Sequence, residues 1–166
     1  MGDRNSRRFT GLFEKKYIVI LISHRGNIDG PDDAAENNPY FLNRLIRNNN
    51  HIEIDLWMID GILWLGHDRP QYKIDEAYLD YENFWIHAKN LDALEYLTST
   101  SYKYFWHQED DFTLTSNNKI WTYPDKEVTG QSIIVCRSPE ECAKYKDKDI
   151  FGICSDYISP MHTGEH

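Results

Sequence analysis

A chain of 166 residues, 40% apolar and 27% charged, has room for one hydrophobic core and hardly for two, and has the composition of an ordinary globular domain. Its formal charge of −9 argues against a nucleic-acid surface, which needs clustered Lys and Arg. The longest apolar run, Tyr17 to Ile22, is about a third of a membrane-spanning helix, so no span is expected.

The basic residues near the start, Arg4, Arg7, Arg8, Lys15 and Lys16, read as a flexible, solvated arm over 1–16. A single domain over 17–160 and a flexible tail over 161–166 are expected to follow. Tyr17 to Ile22 is a continuous, β-branched run, the pattern of a strand buried on both faces. It delivers Ser23-His24-Arg25-Gly26 to the strand's C-terminal end. After a loop with Gly30, Pro31 and paired Asp, the span Pro39 to Arg47 puts Phe41, Leu42, Leu45 and Ile46 at helical spacing, and Asn48 to Asn50 stop it.

Ile52 to Leu56 alternates strictly. Glu53 and Asp55 therefore share one face of a strand, a costly arrangement unless something positive sits between them. The run continues to Ile59, turns at Asp60-Gly61 and returns through Ile62 to Leu65, which predicts a β-hairpin delivering Gly66-His67-Asp68. Further strands are predicted at Phe84 to His87, Tyr104 to His107, Ile120 to Tyr123, Ile133 to Cys136 and Gly152 to Cys154. Helices are predicted at Leu91 to Leu97 and, after Ser138-Pro139, at Glu140 to Tyr145. Gln108 to Lys119 is too polar and turn-rich for a full crossover helix.

Strands alternating with helices predict an α/β fold with a parallel sheet or barrel. The 11 Tyr, 7 Phe and 5 Trp can fill the core of so short a chain with few side chains. In a parallel barrel the C-terminal strand ends form one rim, where active sites are found. His24, Arg25, Glu53, Asp55, His87, Lys89, His107 and Asp156 all fall in or just after strand-like runs. Cys136, Cys142 and Cys154 make no metal-binding spacing, and with no secretory leader legible the expectation is reduced thiols in a cytoplasmic protein.

His24-Arg25-Gly26, Glu36-Asn37, Glu53-Ile54-Asp55, Asp60-Gly61 and His67-Asp68 occur in this order. That succession resembles the signature of the glycerophosphodiester phosphodiesterases, closely over residues 20 to 70 and more loosely beyond, where Lys89 matches a family lysine. The resemblance implies a compressed or incomplete TIM-type β/α barrel with a hairpin insertion after the second strand. It implies hydrolysis of a phosphodiester to an alcohol and a phosphomonoester such as glycerol 3-phosphate. The sequence departs from the family at His87, where an acidic metal ligand is expected, and at Asn38, where a Thr is expected. The chain is also shorter than a full eight-unit barrel.

The residues fit that chemistry. A divalent ion held by Glu53 and Asp55 would offset phosphate charge, with Mg²⁺ or Ca²⁺ favoured by oxygen ligands and Mn²⁺ or Zn²⁺ if His87 joins them. Arg25 and Lys89 are candidates to bind phosphate, and His24 and His67 to serve as general acid and base, in either order. Glu36 is expected to orient the loop or Arg25, and Asp156 to orient an Arg or Lys of the rim. His107 is open between packing and substrate binding. The expected partner is a small-molecule phosphodiester, and a shortened barrel could cover exposed apolar surface as a homodimer. The competing reading is a catalytically silent module that binds a phosphorylated ligand on the same rim.

Overall fold

The run ending at His24 forms β1 (Ile20–His24), which is paired on both sides, as a strand without charges allows. The computed structural model describes residues 18–162. The arm expected over 1–16 and residues 163–166 lie outside that range. Met161, assigned to the tail from sequence, instead packs against the apolar cluster outside the sheet.

α1 (Pro39–Arg47) matches the predicted span. Asn38 caps its first turn by accepting from the Tyr40 N–H, Pro39 suits the N-terminus, and the Asn48 N–H bonds back to the last turn. Leu42 and Leu45 are its buried face. β2 (His51–Ile59) turns at Asp60-Gly61 into β3 (Ile62–Leu65). Both turn residues have positive φ, 50° and 75°, as a tight hairpin turn between twisted strands requires. β4 (Tyr72–Ile74) extends this hairpin, and a short 3-10 turn over Glu76–Asp80 leads to β5 (Phe84–Ala88).

α2 (Leu91–Thr98) follows, capped by the Asn90 side chain, and then β6 (Tyr104–Phe105). The polar stretch read as unable to form a helix contains β7 (Phe112–Leu114). β8 (Ile120–Thr122), β9 (Ser132–Cys136), α3 (Pro139–Ala143), β10 (Gly152–Ser155) and α4 (Ser159–His162) complete the described chain.

All ten strands belong to one sheet, a mixed α/β arrangement with few helices. Its parallel part runs β6-β5-β2-β1-β10-β9-β8, and β3, β4 and β7 are antiparallel additions. The sheet curls, so that its far ends approach one another. Phe105 of β6 and Trp121 of β8 stack with ring centroids 4.3 Å apart, and the Ser116 N–H beyond β7 donates to the Tyr104 carbonyl at 2.8 Å. β6 and β8 share no ladder of their own, which leaves an incomplete barrel.

Inside the curl, Ile22, Trp85, Phe105, Trp121, Ile133 and Cys154 form one apolar cluster. Outside it, α1 and α2 cover β2 and β5 with a larger one containing Leu42, Ile52, Ile54, Ile86 and Leu97, and α3 covers β9 and β10 with Cys142 on Ile134 and Ile153. Burying each of these large aliphatic side chains stabilises by about 1.5–3 kcal/mol. All three cysteines are buried and free. At the strands' N-terminal end, Lys103 Nζ sits 5.1 Å over the Trp85 ring and Lys119 Nζ 4.1 Å over the Phe151 ring. That end of the curl is filled, and the polar residues gather at the other.

Candidate functional site

Alternation along the parallel strands puts the inward-facing residue before each C-terminal end on a common rim. A cavity of about 440 Å³ opens there. His24, Arg25, Glu53, His67, His87, Lys89 and His107 all border it. These come from β1, β2, β5, the β3 hairpin and the segment after β6, so the insertion after the second strand serves to bring His67 to the others. Gly66 makes that delivery possible. Its φ of 150° is open to glycine, and a Cβ there would run into the Arg69 carbonyl. Its own carbonyl accepts from the Trp57 ring N–H at 2.6 Å.

The centre is the pair of carboxylates. Glu53 and Asp55 are both buried, and with His87 they bring one ligand atom each to within 4.8 Å of one another, a group that could hold a metal ion. His87 Nδ1 is 3.1 Å from Asp55 Oδ1 and 3.9 Å from Glu53 Oε1. Its Nε2 is 2.8 Å from the His107 carbonyl, which can only accept, so Nε2 carries the hydrogen. Nδ1 is thereby turned towards the carboxylates, and a ring lone pair facing a carboxylate needs a cation between them, either a proton or a metal ion. Asp55 Oδ1 is buried and accepts no hydrogen bond. That oxygen lies in ion-pair reach of the imidazole Nδ1 and of Lys89 Nζ, and with no hydrogen bond of its own it is a ligand atom that a metal ion could use.

The surroundings fix these ligands. Asn37, fully buried with φ of 56°, donates from Nδ2 to Asp55 Oδ2 at 2.9 Å, and its Oδ1 accepts the Asp55 N–H at 2.9 Å. Arg25 Nε lies 3.3 Å from the same Oδ2, and Lys89 Nζ 3.4 Å from Oδ1. The Arg25 N–H donates to Glu53 Oε2 at 3.2 Å. Burial raises a carboxyl pKa, but His87, Lys89 and Arg25 outweigh it at Asp55 and hold that group well below the usual carboxylate range. Glu53 goes the other way: burial, then the Asp55 charge, pushes it up. One strand thus carries a firmly ionised carboxylate beside one under strain as an anion.

Compared with known proteins, the chain matches no family model, no curated protein and no solved structure. Its site is therefore read from its own residues.

His24 Nδ1 is hydrogen-bonded to Asp156 Oδ1 at 2.9 Å. The expectation that Asp156 orients an Arg or Lys is corrected here: its partners are His24 and the Asn27 amide, which donates at 2.8 Å. Burial lowers a histidine pKa, yet the Asp156 bond and then Glu53 outweigh it and raise His24 above its ordinary 6.5. His67 is half-exposed, with Nδ1 2.6 Å from Asp68 Oδ1, and burial followed by the Arg25 charge lowers its pKa. Both histidines are held at Nδ1 by a carboxylate, which leaves Nε2 of each unspent on that contact.

Glu36 orients Arg25, as expected, accepting from Nη1 at 3.2 Å, and its other oxygen accepts from Asn27 Nδ2 at 2.9 Å. His107 lines the cavity 6.2 Å from the His87 ring and 5.9 Å from Tyr123, and it supports His87 through its own carbonyl. Two buried amides, Asn27 and Asn37, were missed by sequence reasoning as working parts. Asn37 belongs to the Glu36-Asn37 element of the resemblance but was given no role, since nothing in its type or spacing announces a bond to a strand residue 18 positions later.

Proposed function

We propose that this chain is a metal-dependent phosphodiester hydrolase of the glycerophosphodiester phosphodiesterase kind, on a compressed TIM-type barrel. The observation that carries the reading is the convergence of two carboxylate-held histidines and two cations around one Glu53-Asp55-His87 group, its carboxylates buried and its imidazole partly so, at a single cavity. The chain order of the parallel strands around the curl supports the barrel type.

The residues divide the work by position. Arg25 offers a planar fork and Lys89 a point charge to the phosphate oxygens, and both are already anchored by Asp55. Glu53, Asp55 and His87 would hold a divalent ion, Mg²⁺ or Ca²⁺ by the carboxylates and Mn²⁺ or Zn²⁺ with the imidazole included. Bound there, it would offset the negative charge that makes a phosphodiester a poor electrophile.

Opposite pKa directions separate the histidines. His67, neutral near pH 7, takes the proton of the attacking hydroxyl, whether water or a neighbouring hydroxyl of the substrate. His24, whose pKa the Asp156 bond raises, gives its proton to the leaving alkoxide. The P–O bond to the alcohol breaks as the new P–O bond forms, yielding an alcohol and a phosphomonoester, or a cyclic phosphate when the attacking group is internal.

Hydrolysis of glycerophosphocholine with His24→Ala and His67→Ala as controls tests this. The expected result is metal-dependent turnover that falls by about 10²–10⁴ in each variant, the usual contribution of general acid–base catalysis. Turnover unchanged in both variants would remove the reading.

A further inference from the structure

Exposed apolar side chains are ordinary when scattered singly over a surface. Here they are not scattered. Among the described residues, Tyr40 is 79% exposed, Leu91 71% and Tyr123 47%, and Phe41, Ile59 and Ile62 are also exposed. Each stands on a different part of the same rim. Tyr40 and Phe41 open α1 directly after the loop that carries Arg25 and Asn37. Ile59 and Ile62 pair across the tip of the hairpin that delivers His67. Leu91 opens α2, two residues after Lys89, beside Asn90, whose amide donates to the Met58 carbonyl and whose Oδ1 accepts the Met58 N–H. Tyr123 follows β8 at the cavity mouth. Ile18 lies at the opposite end, and Phe112 and Leu114 lie along β7.

Tyr40, Phe41, Ile59, Ile62 and Leu91 stand outside the cavity lining. They do not touch a small substrate seated there, so substrate binding does not explain them. They surround the opening instead, where they would meet whatever surface the cavity is pressed against. Tyrosine, with an apolar ring and a wet hydroxyl, is suited to a lipid–water boundary. The charges decide which lipid. Asp29, Asp32, Asp33, Asp60, Asp68 and Asp92 are exposed on the same loops, against Arg69 there and Arg137 at the cavity, the latter already paired with Asp125 and Glu141, and the whole chain carries −9. An anionic bilayer would repel this face, whereas a zwitterionic one would not.

We propose that this rim seats the protein on a zwitterionic phospholipid surface, with Tyr40, Phe41, Ile59, Ile62 and Leu91 entering the interface and the cavity facing the headgroups. The inference rests on the phosphodiesterase reading and narrows its substrate to a headgroup phosphodiester reached at a membrane. Attachment is by apolar insertion, so it is insensitive to salt.

The test is flotation of the full chain with phosphatidylcholine vesicles, comparing wild type with Tyr40→Ser/Ile59→Ser/Leu91→Ser. Hydrolysis of soluble bis(p-nitrophenyl) phosphate is measured in parallel. The expected result is salt-insensitive binding by wild type, weaker binding to phosphatidylserine vesicles, and a partition coefficient lowered about tenfold or more in the variant. Turnover of the soluble ester should be equal in the two proteins. A wild type that does not float, or a variant that floats equally, overturns the proposal. So does a wild-type dimer that the variant breaks without any vesicle binding, since the rim would then join two copies. Wild type that floats yet hydrolyses no soluble ester strikes the phosphodiesterase reading and leaves the docking surface standing.

Discussion

Replacing Asn37 by alanine isolates what holds Asp55 in place. The amide makes two bonds to that residue, both 2.9 Å long and both buried. Without it, the Asp55 N–H has no acceptor, at a cost of about 1–3 kcal/mol for a buried unpaired group. Oδ2 keeps Arg25 at 3.3 Å and loses only the net worth of one bond, about 1 kcal/mol. The sum is about 2–4 kcal/mol, and in a domain of this size each kcal/mol moves Tm by about 2–4 °C. Thermal denaturation without metal should therefore show a fall of roughly 5–15 °C. Calorimetry with Mn²⁺ should show affinity lowered about 10–100-fold, the usual effect of removing a group that orients a ligand. Asn37 has a positive φ, so Asn37→Gly is the companion variant: it removes the amide while easing the backbone. A Tm within a degree of wild type, or a glycine variant with wild-type metal affinity, would refute the argument that the amide is what matters.

Glu53→Gln should stabilise the metal-free protein at neutral pH while weakening metal binding. Burial and Asp55 raise the Glu53 pKa in the folded state, so wild type loses stability as pH rises from its unfolded value to the raised one. The gain should vanish in denaturation at acid pH, where Glu53 is protonated. Asp156→Asn should move the alkaline limb of kcat/KM to lower pH, because the His24 pKa loses its main support. The stability cost of that change should be full below pH 6.5 and fade as pH rises through the raised His24 value; it also fades at acid pH, through the lowered Asp156 value. Gly66→Ala should cost several kcal/mol or displace His67, since its Cβ meets backbone rather than a movable side chain. Denaturant unfolding measures the first effect and turnover the second.

Where local chemistry decides, the sequence was legible. Pro39–Arg47 carries its own caps and stripe, and the helix occupies that span. Strict alternation from Ile52 to Leu56 placed Glu53 and Asp55 on one face, and Asp60-Gly61 announced the hairpin. Where partners are distant, it was not. β7 is three residues long and its alternating apolar side chains, Phe112 and Leu114, are exposed, so its place is set by β8 and by the Tyr104 carbonyl rather than by a buried face. Asp156 was visible as a rim carboxylate, but that it holds His24, 132 positions away, depends on β1 and β10 being neighbours. The exposed apolar rim was equally hidden, since an exposed Tyr40 and a buried Leu42 look alike until the sheet decides which faces inward.

The central claim is that Glu53, Asp55 and His87 form a metal centre used to cleave a phosphodiester. The direct measurement is bis(p-nitrophenyl) phosphate hydrolysis after EDTA treatment and readdition of Mg²⁺, Ca²⁺, Mn²⁺ or Zn²⁺, in wild type and His87→Asp. The account predicts turnover that EDTA abolishes and readdition restores, with the preferred ion moving towards Mg²⁺ or Ca²⁺ when the imidazole becomes a carboxylate. Turnover indifferent to EDTA, or an ion preference unmoved by His87→Asp, would contradict it.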